Sequence, residues 1–179
     1  EQNDMQRVFY QRVPGGLHKK EMIQKALDRG YLVGRYEIYY DVFGPRLKDA
    51  WANRPKKYNS RFYGYPDQLL QTRSGDHQKS WKYGTVDGEG IHSYLRCPSF
   101  LSEWVRRWIP EQTREIGYNA YFLDLVTSRP LYECYDPCHP LTRSEDRQVR
   151  SASFDYLRSL GVVCGSEGGA DWCADRLHF

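Results

Sequence analysis

The pattern of hydrophobic and polar positions repeats one unit three times along the chain: an amphipathic helix, a glycine and a short apolar strand. The three glycines are Gly30, Gly117 and Gly161. Helices that alternate with short apolar strands are typical of a parallel sheet covered by helices. The pattern therefore predicts a fold of the α/β class.

The helices are predicted over 17–29, from Pro98 to Glu115, and from a capping box of Thr142 and Glu145 to Gly161. Pro110 predicts a break or restart in the second helix. The strands are predicted over 31–42, 121–127 and 162–167. The apolar faces of the helices are predicted to contain Met22, Ile23, Ala26 and Leu27; Leu101, Trp104, Val105 and Trp108; and Val149, Ala152, Tyr156, Leu157 and Leu160.

A carboxylate lies at or near the end of each predicted strand: Asp41, Asp124 and Glu167. A buried acid is costly unless it is paired or used. In (β/α)8 barrels the catalytic groups lie at the C-terminal ends of the strands, and in open doubly wound sheets the ligand binds there. Because no glycine-rich phosphate loop follows any strand, the barrel is the favoured architecture.

The chain has 179 residues, whereas a whole barrel takes about 250. We therefore expect a partial (β/α)8 TIM barrel of three to four βα units, with 1–179 as one catalytic-barrel domain. Such a part-barrel has open strand edges and is not expected to be stable alone. Residues 43–97 are polar and rich in aromatic side chains, and they predict a long βα-loop insertion that builds a binding wall. Within it, Asp87-Gly88 predicts a hairpin turn.

Composition narrows the function further. The net charge is +3 without a basic block, which does not favour nucleic acid as a partner. No run is apolar enough to span a bilayer, and no signal-peptide pattern opens the chain.

The 15 tyrosines and 5 tryptophans suit sugar binding as well as core packing. The odd count of five cysteines predicts reduced thiols rather than a disulfide framework. Compartment and oligomeric state stay open.

Two acids on the ends of different barrel strands favour glycoside hydrolysis. A retaining glycosidase needs a carboxylate nucleophile and a carboxylic acid/base about 5–5.5 Å apart. Asp124 and Glu167 fit that requirement by position. For either acid alone, helix capping or pairing with an arginine such as Arg129 is the simpler interpretation.

Three alternatives compete with this hypothesis. Cys134, Cys138 and His139, together with Cys164 or Cys173, could bind zinc, although the spacing lies outside the C-x2-C pattern. Asp136 with Asp41 and Glu133 could hold a hard cation. The third alternative is a catalytically silent sugar-binding domain. Nucleophilic serine or cysteine catalysis is disfavoured, because no G-x-S-x-G elbow and no suitably placed histidine occur.

Three segments, 122–124, 133–140 and 165–168, resemble the bacterial glycoside hydrolases of families 101 and 129. Members of these families are retaining α-N-acetylgalactosaminidases, some of which act as endo-enzymes on mucin-type O-glycans. The resemblance covers roughly residues 17–175 and is most specific over 118–170. It implies a (β/α)8 catalytic barrel in which Asp124 is the nucleophile and Glu167 the acid/base.

The same resemblance implies a set of substrate-binding residues. Asp41 corresponds to the carboxylate that holds sugar hydroxyls, and Trp81-x-Tyr83 lies where the family has a Trp-x-Trp pair over the sugar. Glu133 and Asp136 are implied as supporting or hydroxyl-binding groups. The implied substrate is an α-linked oligosaccharide or glycoconjugate, and no metal or organic cofactor is expected in the chemistry.

Overall fold

A computed structural model of the chain describes residues 9–10, 20–86 and 89–179, and their contacts divide the chain into two compact units. The sheet unit comprises the described residues up to Glu37 together with Val105–Ser128 and Ser153–Phe179. The hairpin unit comprises Ile38–Trp104 and Arg129–Ala152. That 1–179 forms one barrel domain stays a prediction.

The sheet unit contains a four-stranded parallel sheet in the order β1-β2-β6-β7. Each of its three longer strands follows a helix and a glycine, as the repeat predicts. The mixed α/β class and the parallel sheet are therefore confirmed. The strands are β1 (Phe9–Tyr10), β2 (Leu32–Glu37), β6 (Ala120–Leu123) and β7 (Val163–Ser166).

The predicted helices form. The first ends at Leu27 rather than at residue 29, and its predicted start at 17–19 lies outside the described residues. Gly117 and Gly161 follow the two long helices at φ +93° and +71°, where residues with a Cβ are strained. The capping box also forms, since the amide of Thr142 donates to Glu145 Oε2 (2.7 Å) and the amide of Glu145 donates to Thr142 Oγ1 (3.3 Å). The helices are α1 (Lys20–Leu27), α2 (Pro45–Ala50), α3 (Leu101–Ile116) and α4 (Arg143–Ser159), with 3₁₀ turns at Ser60–Phe62, Pro98–Phe100 and Asp171–Cys173.

Two details of the predictions for α3 and α1 are wrong. Pro110 lies inside a continuous α3. A proline removes one N–H bond and its ring crowds the carbonyl four residues earlier, and the packing of the buried side chains Val105 and Ile109 offsets that cost. Met22 is 51% exposed, and Ile23 alone in α1 is buried, so α1 packs through a narrower face than predicted.

The single strand predicted over 31–42 is two strands. β2 ends at Glu37, and Asp41–Val42 forms β3, which pairs antiparallel with β5 (Glu89–Leu95) in the hairpin unit. Asp41 therefore does not end a parallel strand, and Glu37 takes that position. Glu37 is buried and bound by Arg35 Nε and Gln112 Nε2, both at 2.7 Å, so its carboxylate is satisfied internally.

The hairpin unit contains a three-stranded antiparallel sheet in the order β3-β5-β4, with β4 at Lys79–Val86. Asp87 and Gly88 lie outside the described residues, and the strands on both sides of them pair antiparallel. Phe43, Leu47 and Phe62 form a core against which Trp51, Tyr83 and Ile91 pack. Part of the aromatic content of 43–97 is therefore core. Within the described residues, every helix is too short or too polar to cross a lipid bilayer.

Candidate active site

Asp124 and Glu167 follow the ends of adjacent strands in the sheet unit. Leu123, the last residue of β6, is in register with Ser166, the last residue of β7. Each acid is the next residue of its chain segment. Neighbouring strands lie about 4.7–4.9 Å apart. Both acids therefore lie at the C-terminal end of the parallel sheet, on backbone segments that are one strand spacing apart.

A hydrogen-bond network links the two segments that carry the acids. Ser166 Oγ donates to the carbonyl oxygen of Leu123 (2.5 Å) and accepts from the amide of Thr127 (3.2 Å). Thr127 Oγ1 contacts the carbonyl oxygens of Glu167 (2.8 Å) and Gly168. The turn after Asp124 is thereby tied to the turn after β7. Sequence reasoning missed Thr127 and Ser166, although hydroxyls at the ends of apolar strands are a signal that could have found them.

The two acids have different surroundings. Asp124 is 7% exposed, and its amide donates to the carbonyl oxygen of Glu37 at 2.8 Å. Glu167 is exposed, and Ser128 Oγ lies 3.4 Å from its Oε2. Leu125, next to Asp124, has φ +65°, a conformation that costs a leucine about 1–2 kcal/mol. Backbone strain of this kind is concentrated at functional sites.

Asp41 lies in the hairpin unit and is buried among hydroxyl donors. Its Oδ1 accepts from Ser80 Oγ (2.7 Å) and Ser93 Oγ (3.2 Å), and its Oδ2 accepts from the Tyr83 hydroxyl (3.1 Å). Burial, and then the charge of Asp41, raise the pKa of Tyr83 to about 12 against the opposing effect of Arg61. Asp41 and Tyr83, both implied as substrate-binding residues, are thus bound to each other.

Trp81 and Tyr83 do not act as a matched pair. Trp81 is 61% exposed, whereas the ring of Tyr83 packs edge-on against Phe43 at 5.3 Å between centroids. Residues two apart on a regular strand share a face, but β4 is irregular in register on both sides of Lys82. Trp81 alone offers an open aromatic face.

Glu133 and Asp136 stabilise the segment before α4. Glu133 Oε2 accepts from the Tyr135 hydroxyl (2.8 Å), and its Oε1 lies 3.7 Å from Arg143 Nε. Asp136 Oδ1 accepts from the amide of Cys138 (2.8 Å) in a local turn. These carboxylates have separate protein partners, and they form no cation-binding group with Asp41 among the described residues.

The cysteines meet in a different combination from the predicted one. Cys97, Cys134 and His139 place their ligating atoms within 4.8 Å of one another, the one such group found among the described residues. Cys138 is exposed and outside it. A hydrogen bond from the Cys97 thiol lowers the pKa of Cys134, and the same bond together with burial raises the pKa of Cys97. All five cysteines are free thiols.

A protein-family model described as glycosyl hydrolases related to the GH101 family, GH129, matches residues 10–179. The chain belongs to this family. The resemblance found in the sequence is therefore confirmed over nearly the whole chain. A search of curated proteins found no significant match.

Solved structures of one GH129-type enzyme share the fold. The ligand-free α-N-acetylgalactosaminidase NagBb from Bifidobacterium bifidum is 23% identical over 92% of this chain, with a TM-score of 0.70. Its GalNAc complex is 24% identical over 88% of this chain, with a TM-score of 0.68. The matched regions are 24% and 22% of those chains, so this chain spans about a quarter of their length.

Proposed function

We propose that the protein is a retaining glycoside hydrolase for an α-linked sugar, with Asp124 as nucleophile and Glu167 as acid/base. The observation that carries the proposal is the register of Leu123 with Ser166, which sets the two acids one strand spacing apart at one edge of the sheet. Adjacent strand ends lie about 4.7–4.9 Å apart at the backbone, which brings both carboxyl groups within reach of one glycosidic bond. Retention, the stereochemistry proposed, follows the family resemblance and requires the two carboxyl groups to lie about 5–5.5 Å apart.

The reaction proceeds in two displacements. Asp124 attacks the anomeric carbon while Glu167 gives its proton to the departing glycosidic oxygen, and a glycosyl–aspartate ester forms. Glu167, now a carboxylate, takes a proton from water, whose oxygen attacks the anomeric carbon and releases Asp124. The network through Thr127 and Ser166 supports this mechanism, because it fixes the spacing of the two acids across both steps.

The assignment of nucleophile to Asp124 and acid/base to Glu167 follows the family resemblance, and the two acids differ in exposure. A nucleophile needs a fixed position against the anomeric carbon, and Asp124 is buried in a turn that leaves the sheet. An acid/base must reach first the leaving group and then water, and Glu167 is exposed.

The substrate proposed is an α-linked N-acetylgalactosaminide, as the family and the neighbouring enzyme suggest. Trp81 supplies the open ring for a pyranose face. An ionised carboxylate offers about four lone-pair sites, and Asp41 uses three on protein hydroxyls, which leaves one for a sugar hydroxyl. We place the parallel sheet within a (β/α)8 barrel of which this chain forms part.

The test uses aryl α-N-acetylgalactosaminides with good and poor leaving groups. We expect turnover with retained configuration, read by NMR of the first product formed. Asp124→Asn should lower kcat/KM by at least about 10⁴-fold for every substrate, because no ester can form. Glu167→Gln should slow poor leaving groups about 10²–10⁴-fold and activated ones far less, because only poor leaving groups need the proton.

Asp49→Asn is the matched control, since Asp49 is an exposed acid on α2 in the hairpin unit and should leave turnover unchanged. Equal losses on both classes of leaving group in Glu167→Gln would contradict the acid/base role. Binding of the sugar without turnover by a full-length version of the protein would favour the catalytically silent alternative, because the 179-residue chain alone is not expected to form the whole barrel.

A further inference from the structure

Two thiols and an imidazole from separate parts of the hairpin unit converge at one point. Cys97 lies just after β5, while Cys134 and His139 lie in the segment before α4. The two cysteines are 0% and 4% exposed, and all three ligating atoms lie within 4.8 Å of one another. Cys134 Sγ is 3.4 Å from His139 Nδ1.

This spacing matches the edges of a metal tetrahedron. With zinc–sulfur and zinc–nitrogen bonds of about 2.3 and 2.0–2.1 Å, tetrahedral angles separate sulfur from nitrogen by about 3.6 Å and sulfur from sulfur by about 3.8 Å. The measured 3.4 Å between Cys134 and His139 needs only a slight adjustment to admit the ion. Thiolate and imidazole are ligands of soft or borderline metals, whereas calcium and magnesium take oxygen.

The groups around the three side chains support the same conclusion. Asp136 Oδ2 lies 3.5 Å from His139 Nε2, and that nitrogen is buried without a hydrogen-bond partner among the described residues. A metal-bound histidine commonly directs its second nitrogen to a carboxylate, which turns Nδ1 toward the ion. The amide of Gln71 donates to Cys134 Sγ (3.4 Å), and Ser99 Oγ donates to Cys97 Sγ (3.1 Å). Such donors stabilise thiolates.

We propose that Cys97, Cys134 and His139 bind one zinc ion, which ties the segment before α4 to the end of β5. Binding displaces the protons of the two thiols, and the imidazole coordinates through Nδ1. Three protein ligands leave one tetrahedral position for water or a further ligand. The ion is separate from the proposed glycosidase chemistry, which does not use it.

The experiment measures metal directly. Protein purified from zinc-supplemented cells should contain about one zinc per chain by elemental mass spectrometry. Cobalt(II) added to the chelator-treated protein should give tetrahedral d–d bands and a thiolate-to-cobalt charge-transfer band, and stoichiometric zinc should remove both. Cys134→Ser and Cys97→Ser should each lower zinc affinity at least about tenfold and weaken the charge-transfer band, because each removes one thiolate.

Cys138→Ser is the matched control, because this exposed cysteine lies next to His139 and outside the cluster. It should keep the zinc and the full cobalt spectrum. Should the serine variants of the cluster fail to fold, the cobalt spectrum of the unmodified protein and of Cys138→Ser decides the question. Three results would each overturn the proposal. The unmodified protein could contain no zinc and show no cobalt bands, Cys138→Ser could lose as much zinc affinity as the cluster variants, or the purified protein could contain a Cys97–Cys134 disulfide.

Discussion

At the scale of single residues, Asp41 and Tyr83 depend on each other. The Tyr83 hydroxyl donates to the buried carboxylate of Asp41 at 3.1 Å, and its ring packs against Phe43 and Trp51. Ionised Tyr83 would place a second negative charge beside Asp41. Burial and this neighbouring charge therefore favour the neutral phenol and raise the pKa of Tyr83 to about 12.

This raised pKa predicts a loss of stability at high pH. The folded state holds the Tyr83 proton up to about pH 12, whereas the unfolded chain releases it near pH 10. The contribution of Tyr83 to the free energy of unfolding is therefore fully present below pH 10 and is lost as pH rises to 12. Urea unfolding across this range should show a shallower decline for Tyr83→Phe than for the unmodified protein.

Asp41→Asn provides the second arm of this experiment, because it removes the neighbouring charge but keeps the size of the side chain. In that variant the pKa of Tyr83 should move back toward 10. The pKa is measured by tyrosinate absorbance, from which the absorbance of an Asp41→Asn/Tyr83→Phe double variant is subtracted. A parallel decline of the unmodified protein and Tyr83→Phe between pH 10 and 12 would show that Tyr83 titrates as it does in the unfolded chain.

At the scale of elements, the buried face of α4 differs from the predicted one because two of its buried residues are charged. The face predicted to be buried contains Ala152 and Leu160, which are exposed. The observed buried residues are Asp146, Arg150, Ser153, Phe154 and Leu157. These residues are spaced as on one face of a helix, but the first two are charged. A prediction that counts only apolar positions therefore places the buried face at a different angle around the helix.

The pair within this face holds α4 to the preceding segment. Both side chains are fully buried, and Arg150 Nη2 lies 2.6 Å from Asp146 Oδ2. Arg150 also donates to the carbonyl oxygens of Arg129 (3.0 Å) and Pro130 (2.8 Å), and Asp146 accepts from the amide of Tyr132 (2.7 Å). The pair therefore satisfies backbone groups as well as its own charges.

Breaking this pair on one side should be severely destabilising. Arg150→Met leaves the Asp146 carboxylate buried without its cation, and we expect a loss of about 3–5 kcal/mol in the free energy of unfolding, measured in urea at pH 7. The double variant Asp146→Leu/Arg150→Met should recover part of that loss, because no lone charge remains while the backbone groups of Arg129, Pro130 and Tyr132 lose their partners. Arg147→Met, on the exposed face of α4, is the control with a change below about 0.5 kcal/mol. Additive losses in the double variant would contradict the coupling.

Each strand predicted after a helix and a glycine begins within one residue of its predicted start, but two of the predicted ends are wrong. The strand predicted over 121–127 ends at Leu123 and 124–127 form a turn, and the run predicted over 31–42 contributes to two sheets. Residues 31–42 are rich in aromatic and β-branched side chains throughout, so their composition gives no sign that pairing changes partner after Glu37. The pairing of Asp41 with Leu95 depends on contacts distant in sequence, which local propensity does not contain.

At the scale of the whole molecule, the repeat predicted the parallel sheet and the positions of both catalytic candidates. The division into two units was not predicted, because the composition of 43–97 is that of an elaborated loop and does not show that β3, β4 and β5 form a separate antiparallel sheet. The grouping of Cys97 with Cys134 was missed for the same reason, since only the fold brings their segments together.

The outer edge of β7 is covered by the C-terminal segment of the chain. The amide of His178 donates to the carbonyl oxygen of Cys164 at 2.9 Å, and the amide of Cys164 donates to His178 Nδ1 at 3.2 Å. The ring of Phe179 stacks on Phe122 at 6.2 Å between centroids. The amide and carbonyl that Cys164 directs away from β6 are thus paired. Unpaired groups on a strand edge are a template for association.

In the isolated 179-residue chain, removal of residues 178–179 should therefore promote self-association. The deletion frees the amide and carbonyl of Cys164 for another chain, and sedimentation velocity should show dimers or larger species that increase with concentration. Phe179→Ala is the matched control, because it removes the stacked ring but keeps the backbone pairing of His178, so its sedimentation should match that of the unmodified protein. If the deletion variant sediments like the unmodified protein at every concentration, pairing by His178 does not protect the outer edge of β7. If Phe179→Ala associates as strongly as the deletion variant, the ring of Phe179 rather than the backbone of His178 covers that edge.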